Sequence, residues 1–215
     1  MKHFAPPSEP PDFDAQVRQP GNQWLEQNLD ETGRLPKGTR PPDWWSDFKG
    51  QLADGFNNLC AYSVMYESVG TVDHYLSCEN HPRKVYEWSN YRYLSGWINS
   101  SKGTLDEEVL DPFQIEDDWF EILLPSLQLV LTDAVPQSER DRAQFTIKRL
   151  HLRDDERVIR QRQQWYRMHQ EGNLTLEGLD GVAPLIARAV RKRLAQHHSR
   201  RSDVDTVEEL RESGG

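Results

Sequence analysis

The chain has 215 residues, with 26 Lys and Arg against 35 Asp and Glu, and a formal net charge of −9. No apolar run approaches the ~18 residues that a membrane span needs, and MKHFAPPSEPP lacks the apolar stretch of a secretory signal, so the expectation is a cytoplasmic protein with no membrane role. Two cysteines, Cys60 and Cys78, exclude a disulfide framework and a four-cysteine zinc site.

Hydrophobic residues make up 36%, which is low, but an aromatic fraction of 10% with seven Trp argues against full disorder. One modest, aromatic-rich core with polar ends is expected. Residues 1–42 hold eight of the thirteen prolines and read as an extended arm, with Trp24 and Leu25 as docking points. From Asp43, a plausible N-cap, the residues Trp44, Trp45, Phe48, Leu52 and Phe56 fall at helical spacing. Tyr62, Val64 and Tyr66 alternate as a strand does, and Val72, His74 and Leu76 repeat the pattern after Gly70. A polar loop over 77–89 follows, then helix around Tyr93–Lys102. Residues 104–121 carry eight acidic and no basic side chains and read as a solvated face or a partner surface, with Asp111 a spare metal carboxylate. Two short strands flank Pro125. A helix opens at Ser138 with Asp141 in capping-box position and Phe145, Ile147 and Leu150 on its apolar side. Further helices are expected from Asp154 to Gln170, briefly from Thr175, and over 181–197. The resulting division is an arm at 1–42, a core at 43–135, a basic helical region at 136–201 and a disordered acidic tail at 202–215.

Charge is uneven along this layout. Residues 1–137 carry 10 basic and 22 acidic side chains, and residues 138–201 carry 15 basic and 8 acidic. Phosphate contacts are local, so a basic face can bind DNA on an acidic chain. The candidates are Arg188, Arg191, Lys192, Arg193, Arg200 and Arg201, in a stretch from Gly181 to Ser202 without an acid. Arg153, Arg157, Arg160 and Arg167 also share helical spacing, but Asp154, Asp155 and Glu156 dilute them.

The chemistry-bearing stretch is TVDHYLSCENHPRKVYEWSNYRYLSGWINSSKGT. It orders Asp73, His74, Asn90, Asn99 and Lys102. A carboxylate and an amide oxygen are hard ligands suited to Mg²⁺ or Mn²⁺. A neutral His beside them can take a proton from water. Asn99 and Lys102 are three apart, so a helix puts them on one face. These are the parts of metal-assisted phosphodiester hydrolysis.

This order resembles the HNH endonucleases and their ββα-metal fold. It looks like the variant with Asn as third member and Lys three residues later, found in RNA-guided CRISPR effectors. It is also similar to small bacterial HNH proteins of antiphage defence systems of the Septu, retron and Zorya type. The resemblance implies an α+β fold and a Mg²⁺- or Mn²⁺-dependent DNA endonuclease that nicks one strand, leaving 5′-phosphate and 3′-hydroxyl ends. Asp73 and Asn99 would hold the metal and His74 would be the general base. Asn90 would hold the catalytic loop, and Lys102 would contact the phosphate or position Asp73. A defence ATPase or sensor is the implied partner. Many family members carry Cys-x-x-Cys before the first strand; here the place reads Cys60-Ala-Tyr-Ser63, so a structural zinc from Cys60, Cys78 and His81 is not expected. The alternative is a non-catalytic DNA- or partner-binding protein on a decayed HNH scaffold.

Overall fold

In the computed structural model, residues 1–196 are described, and they form a mixed α+β structure with two small antiparallel sheets. The central unit is β1 (Thr71–His74), β2 (Tyr91–Leu94) and the helix that follows at once, Gly96–Lys102. The strands pair antiparallel, with Asp73 opposite Arg92 and His74 opposite Tyr91. All four β2 residues are buried. That is why the alternating pattern of a one-sided strand is missing there and the sequence suggested helix from Tyr93. The second sheet pairs β3 (Phe120–Leu123) with β4 (Gln128–Leu131) around Pro125, as expected.

Seven α-helices run in chain order: α1 (Gln19–Asn28), α2 (Lys49–Gly55), α3 (Gly96–Lys102), α4 (Arg140–Arg149), α5 (Glu156–Gln170), α6 (Leu176–Val182) and α7, from 184 to the last described residue, 196. Asp155 caps α5 by accepting from the Arg157 backbone N–H, and Thr175 caps α6 through the Gly178 N–H. The expected capping box of α4 is absent: it starts at Arg140 with no side-chain cap, and Phe145 stays exposed while Ile147 and Leu150 are buried. The expected helix from Asp43 is split into a 3₁₀ turn, Trp44–Phe48, and α2. Residues 62–66 are turn rather than strand. Val64 has φ of 55°, and Leu59 and Tyr66 close the loop as an isolated bridge. Their apolar alternation is uninformative because Leu59 to Met65 are all buried.

The arm departs most from expectation. Its PPSEPP and RPP segments lack regular structure, but between them a π-helical turn, Asp14–Arg18, leads into α1. Pro20 follows the π-helical turn within one continuous helical run, and its missing N–H falls where that turn already interrupts the regular α-helical ladder. Phe4, Phe13, Val17 and Leu25 are buried. Phe13 packs edge-on against Phe48, Trp88 and Tyr91 at 5.2–5.7 Å between ring centroids. Trp88 Nε1 donates to Pro7 O and Tyr86 Oη to Pro42 O. Gly21 lets Tyr86 lie on α1, since a Cβ there would fall 2.3 Å from the ring.

No helix among the described residues is long and apolar enough to cross a membrane.

Candidate active site

β1 ends at Asp73 and His74, and strand alternation turns them to opposite faces. Asp73 faces α3. It is 2% exposed, with Oδ1 3.1 Å from the Lys102 ammonium. Lys102 is wholly buried and donates to the carbonyls of His74 and Tyr75, closing the end of β1. Of the two roles expected for Lys102, burial leaves it positioned for Asp73 and not for a phosphate in solvent. The second carboxylate oxygen, Asp73 Oδ2, is buried without a hydrogen-bond partner. Burial raises the Asp73 pKa, and Lys102 and the cross-strand Arg92 only partly offset it.

His74 faces the aromatic side. Trp45 meets its ring edge-on at 4.6 Å and Tyr91 at 5.0 Å. Nε2 lies 2.9 Å from Val85 O. A carbonyl only accepts, so Nε2 carries the proton and Nδ1 carries the lone pair. Among the described residues Nδ1 has no hydrogen-bond partner. Burial lowers the His74 pKa to about 4, against the opposing pull of the Val85 bond, so the ring is neutral at physiological pH.

The loop that supplies Val85 is held by Asn90. Its amide donates to Leu76 O and Lys84 O, and its carbonyl accepts from the Leu76 N–H. Tyr91 Oη also donates to Val85 O, at 2.7 Å. Asn90 thus reaches His74 through the neighbouring backbone, not by touching the ring. Asn99, on α3, donates from Nδ2 to Thr71 Oγ1 and Val72 O. Its Oδ1 remains an acceptor without a protein donor, on the helix face that also carries Lys102. Among the described residues no group of three or more His, Cys, Asp or Glu side chains gathers at metal-binding spacing. An ion here would therefore draw on Asp73, Asn99 and water. Cys60 is fully buried and accepts from the Ser95 N–H. Burial pushes the Cys78 thiol up to about 11. His81 sits 3.5 Å from Asp106.

The expected phosphate-binding residues are largely engaged inside the protein. Arg188 donates to the carbonyls of Asp117 and Phe120, Arg191 pairs with Asp180 at 2.8 Å, and Lys192 with Glu121 at 2.5 Å. Arg193 lines a groove with Arg160 and Arg167. Arg200 and Arg201 lie outside the described residues, as does the expected acidic tail. On α5, Arg157, Arg160 and Arg167 pair with nearby acids, and Arg157 also stacks 4.2 Å over Trp97.

Two residues that frame the site, Arg92 and Asp106, escaped sequence reasoning, and Asp111, expected as a spare metal carboxylate, is instead consumed by a buried pair with Arg92. Arg92 is buried, forms a two-pronged pair with Asp111 at 2.8 and 2.7 Å, and lies 3.5 Å over the Phe113 ring. Asp106 accepts from Ser77 and Asn80; burial opposes its ionisation, but these donors win and hold its pKa below the ordinary value. The acidic block is thus not a plain solvated face, because two of its members turn inward. The only signal was the loss of alternation in YRYL, where a buried Arg demands a buried acid. No family model matches this chain, and no curated protein matches it significantly in sequence.

Proposed function

We propose that the chain is a metal-dependent endonuclease of the HNH type that nicks DNA as an effector of bacterial antiphage defence. The observation that carries this reading is His74 at the end of β1, its Nε2–H fixed on Val85 O and its Nδ1 lone pair without a partner among the described residues, in a strand–strand–helix unit. That order is the one expected of a ββα-metal core. His74 Nδ1 accepts the proton of the attacking water. Asn90 and Tyr91 keep Val85 in place and so keep the ring in its reactive tautomer. Lys102 holds Asp73 from one side, which leaves Oδ2 as the unsatisfied oxygen. Asp73 and Asn99 are the residues that would hold a hard divalent ion; Asp73 Oδ2 has no hydrogen-bond partner but is closed off inside the fold, so the end of β1 has to open for an ion to reach it. Mg²⁺ or Mn²⁺ bound there supplies positive charge to the phosphate in the transition state.

The test is relaxation of supercoiled plasmid with Mg²⁺ or Mn²⁺, beside EDTA and His74→Ala controls. Nicked circles that vanish with EDTA and fall by about 10²–10⁴ in rate with His74→Ala support the reading. Full activity in His74→Ala overturns it. A linear product indicates paired sites.

One observation favours a second reading, the non-catalytic scaffold. The Lys102 ammonium already neutralises Asp73 within the fold. Calorimetric titration with Mn²⁺ separates the two, since a scaffold takes up no ion that Asp73→Asn abolishes. If metal binds but plasmid stays intact, a defence ATPase or sensor is the partner to add, and activity that appears only with it identifies a gated nuclease.

A further inference from the structure

A cavity of about 990 Å³ lies at the mouth of the β1–β2 loop. One wall is the arm, with Arg34, Lys37 and Arg40; the other is the loop from Cys78 to His81. All three cations are exposed, and among the described residues none forms a close ion pair, although Arg34 lies within electrostatic reach of Asp30. Arg83 and Lys84, on the short 3₁₀ turn Pro82–Lys84, add two exposed cations to the same loop. The carboxylates on this cleft are Glu79 and Asp106, and Asp106 is turned inward to Ser77 and Asn80. Cys78 joins the cleft to the candidate active site, because it lines the former and lies within electrostatic reach of Asp73 and Lys102.

This distribution inverts the expectation from net charge. Residues 1–137 are the acidic part of the chain, yet they gather exposed cations around the cleft at Cys78–His81. The basic part neutralises Arg191 and Lys192 with its own fold's acids. A surface without counter-ions releases condensed ions from DNA on binding, and one already paired gains little.

We infer that the arm loop 34–41 and the 78–84 loop form the groove that grips the phosphate backbone of duplex DNA at the candidate active site. The inference rests on the nuclease reading for its substrate, and its test does not need cleavage. Binding of a labelled DNA duplex is followed by fluorescence anisotropy in EDTA over a range of salt, in an Arg34→Ala/Lys37→Ala/Arg40→Ala variant. The control is Arg191→Ala/Lys192→Ala. Expected is a loss of about 10–10² in affinity at moderate salt for the arm variant, with the log–log salt slope shallower by about 2–3. The control should keep the wild-type slope. A single Lys37→Glu change, in an exposed loop, gives a loss in the same direction and guards against misfolding of the triple variant. An unchanged slope in the arm variant overturns the groove, as does a slope lost only in the control. Wild type that binds single-stranded RNA but no duplex also overturns it. If the arm variant loses binding while His74→Ala still cleaves, the groove stands and the catalytic assignment falls.

Discussion

At His74 one hydrogen bond decides which nitrogen is basic. Burial, against the pull of the Val85 bond, makes the ring refuse a second proton until about pH 4. The unfolded chain takes that proton near the ordinary histidine value of 6.5. Stability is therefore fully present above 6.5 and falls as pH drops toward about 4, by at most on the order of 3 kcal/mol. Urea midpoints in EDTA at about pH 7 and 4.5 check this, and His74→Gln should flatten the difference. Asp155, held at about 2 mainly by its bond to Arg157, acts only at lower pH and does not confuse the window. Lys102→Met should cost about 3–5 kcal/mol, because it leaves Asp73 buried and unpaired and strips two carbonyls of their donor. Adding Asp73→Asn should recover part of that loss in the same denaturation measurement. At this scale the candidate residues were legible as an ordered set, since short spacings on a strand and a helix fix faces. Arg92, Asp106 and the buried pairing of Asp111 were not, because what makes them matter is a partner 19 to 29 residues away.

Among elements, β1, the two strands around Pro125 and helices α5 and α6 stood close to where sequence periodicity put them. Each either has caps or buries one face only. β2 and the 59–66 turn were misread because full burial erases alternation. Helix α1 was hidden by the prolines around it, although Pro20 falls where the π-helical turn already interrupts the ladder. Its docking can be tested at Gly21. Ala is the better helix former by about 1 kcal/mol, but a Cβ would meet the Tyr86 ring. Gly21→Ala should thus destabilise by about 1–3 kcal/mol in thermal or urea melts. Tyr86 adjoins Val85, so the same variant should also slow plasmid nicking.

For the whole molecule, the arm is not an appendage. Phe13 fills an aromatic cluster with Phe48, Trp88 and Tyr91, and Phe4 bonds through its N–H to Pro112 O. A chain beginning at residue 43 should lose its cooperative melt by circular dichroism and bind a hydrophobic dye, since those rings would face water. A sharp, wild-type-like transition would show that the core at 43–135 stands without the arm. Mixed α+β architecture was legible from the element pattern. The placement of charge was not, because the ion pair between α7 and β3 joins residues 71 apart in sequence.

The bond from Trp88 to Pro7 spans 81 residues, and that from Tyr86 to Pro42 spans 44. During synthesis, Pro7 is made first and its carbonyl has no Trp88 donor until that residue follows. At about 5–20 residues per second, the delay is roughly 4–16 s. The clamp around Val85 therefore closes only after both strands of the hairpin have left the ribosome. A nascent chain stalled before that point carries His74 without the Asn90 and Tyr91 contacts that hold Val85 in place, so the ring's tautomer is fixed only late in translation.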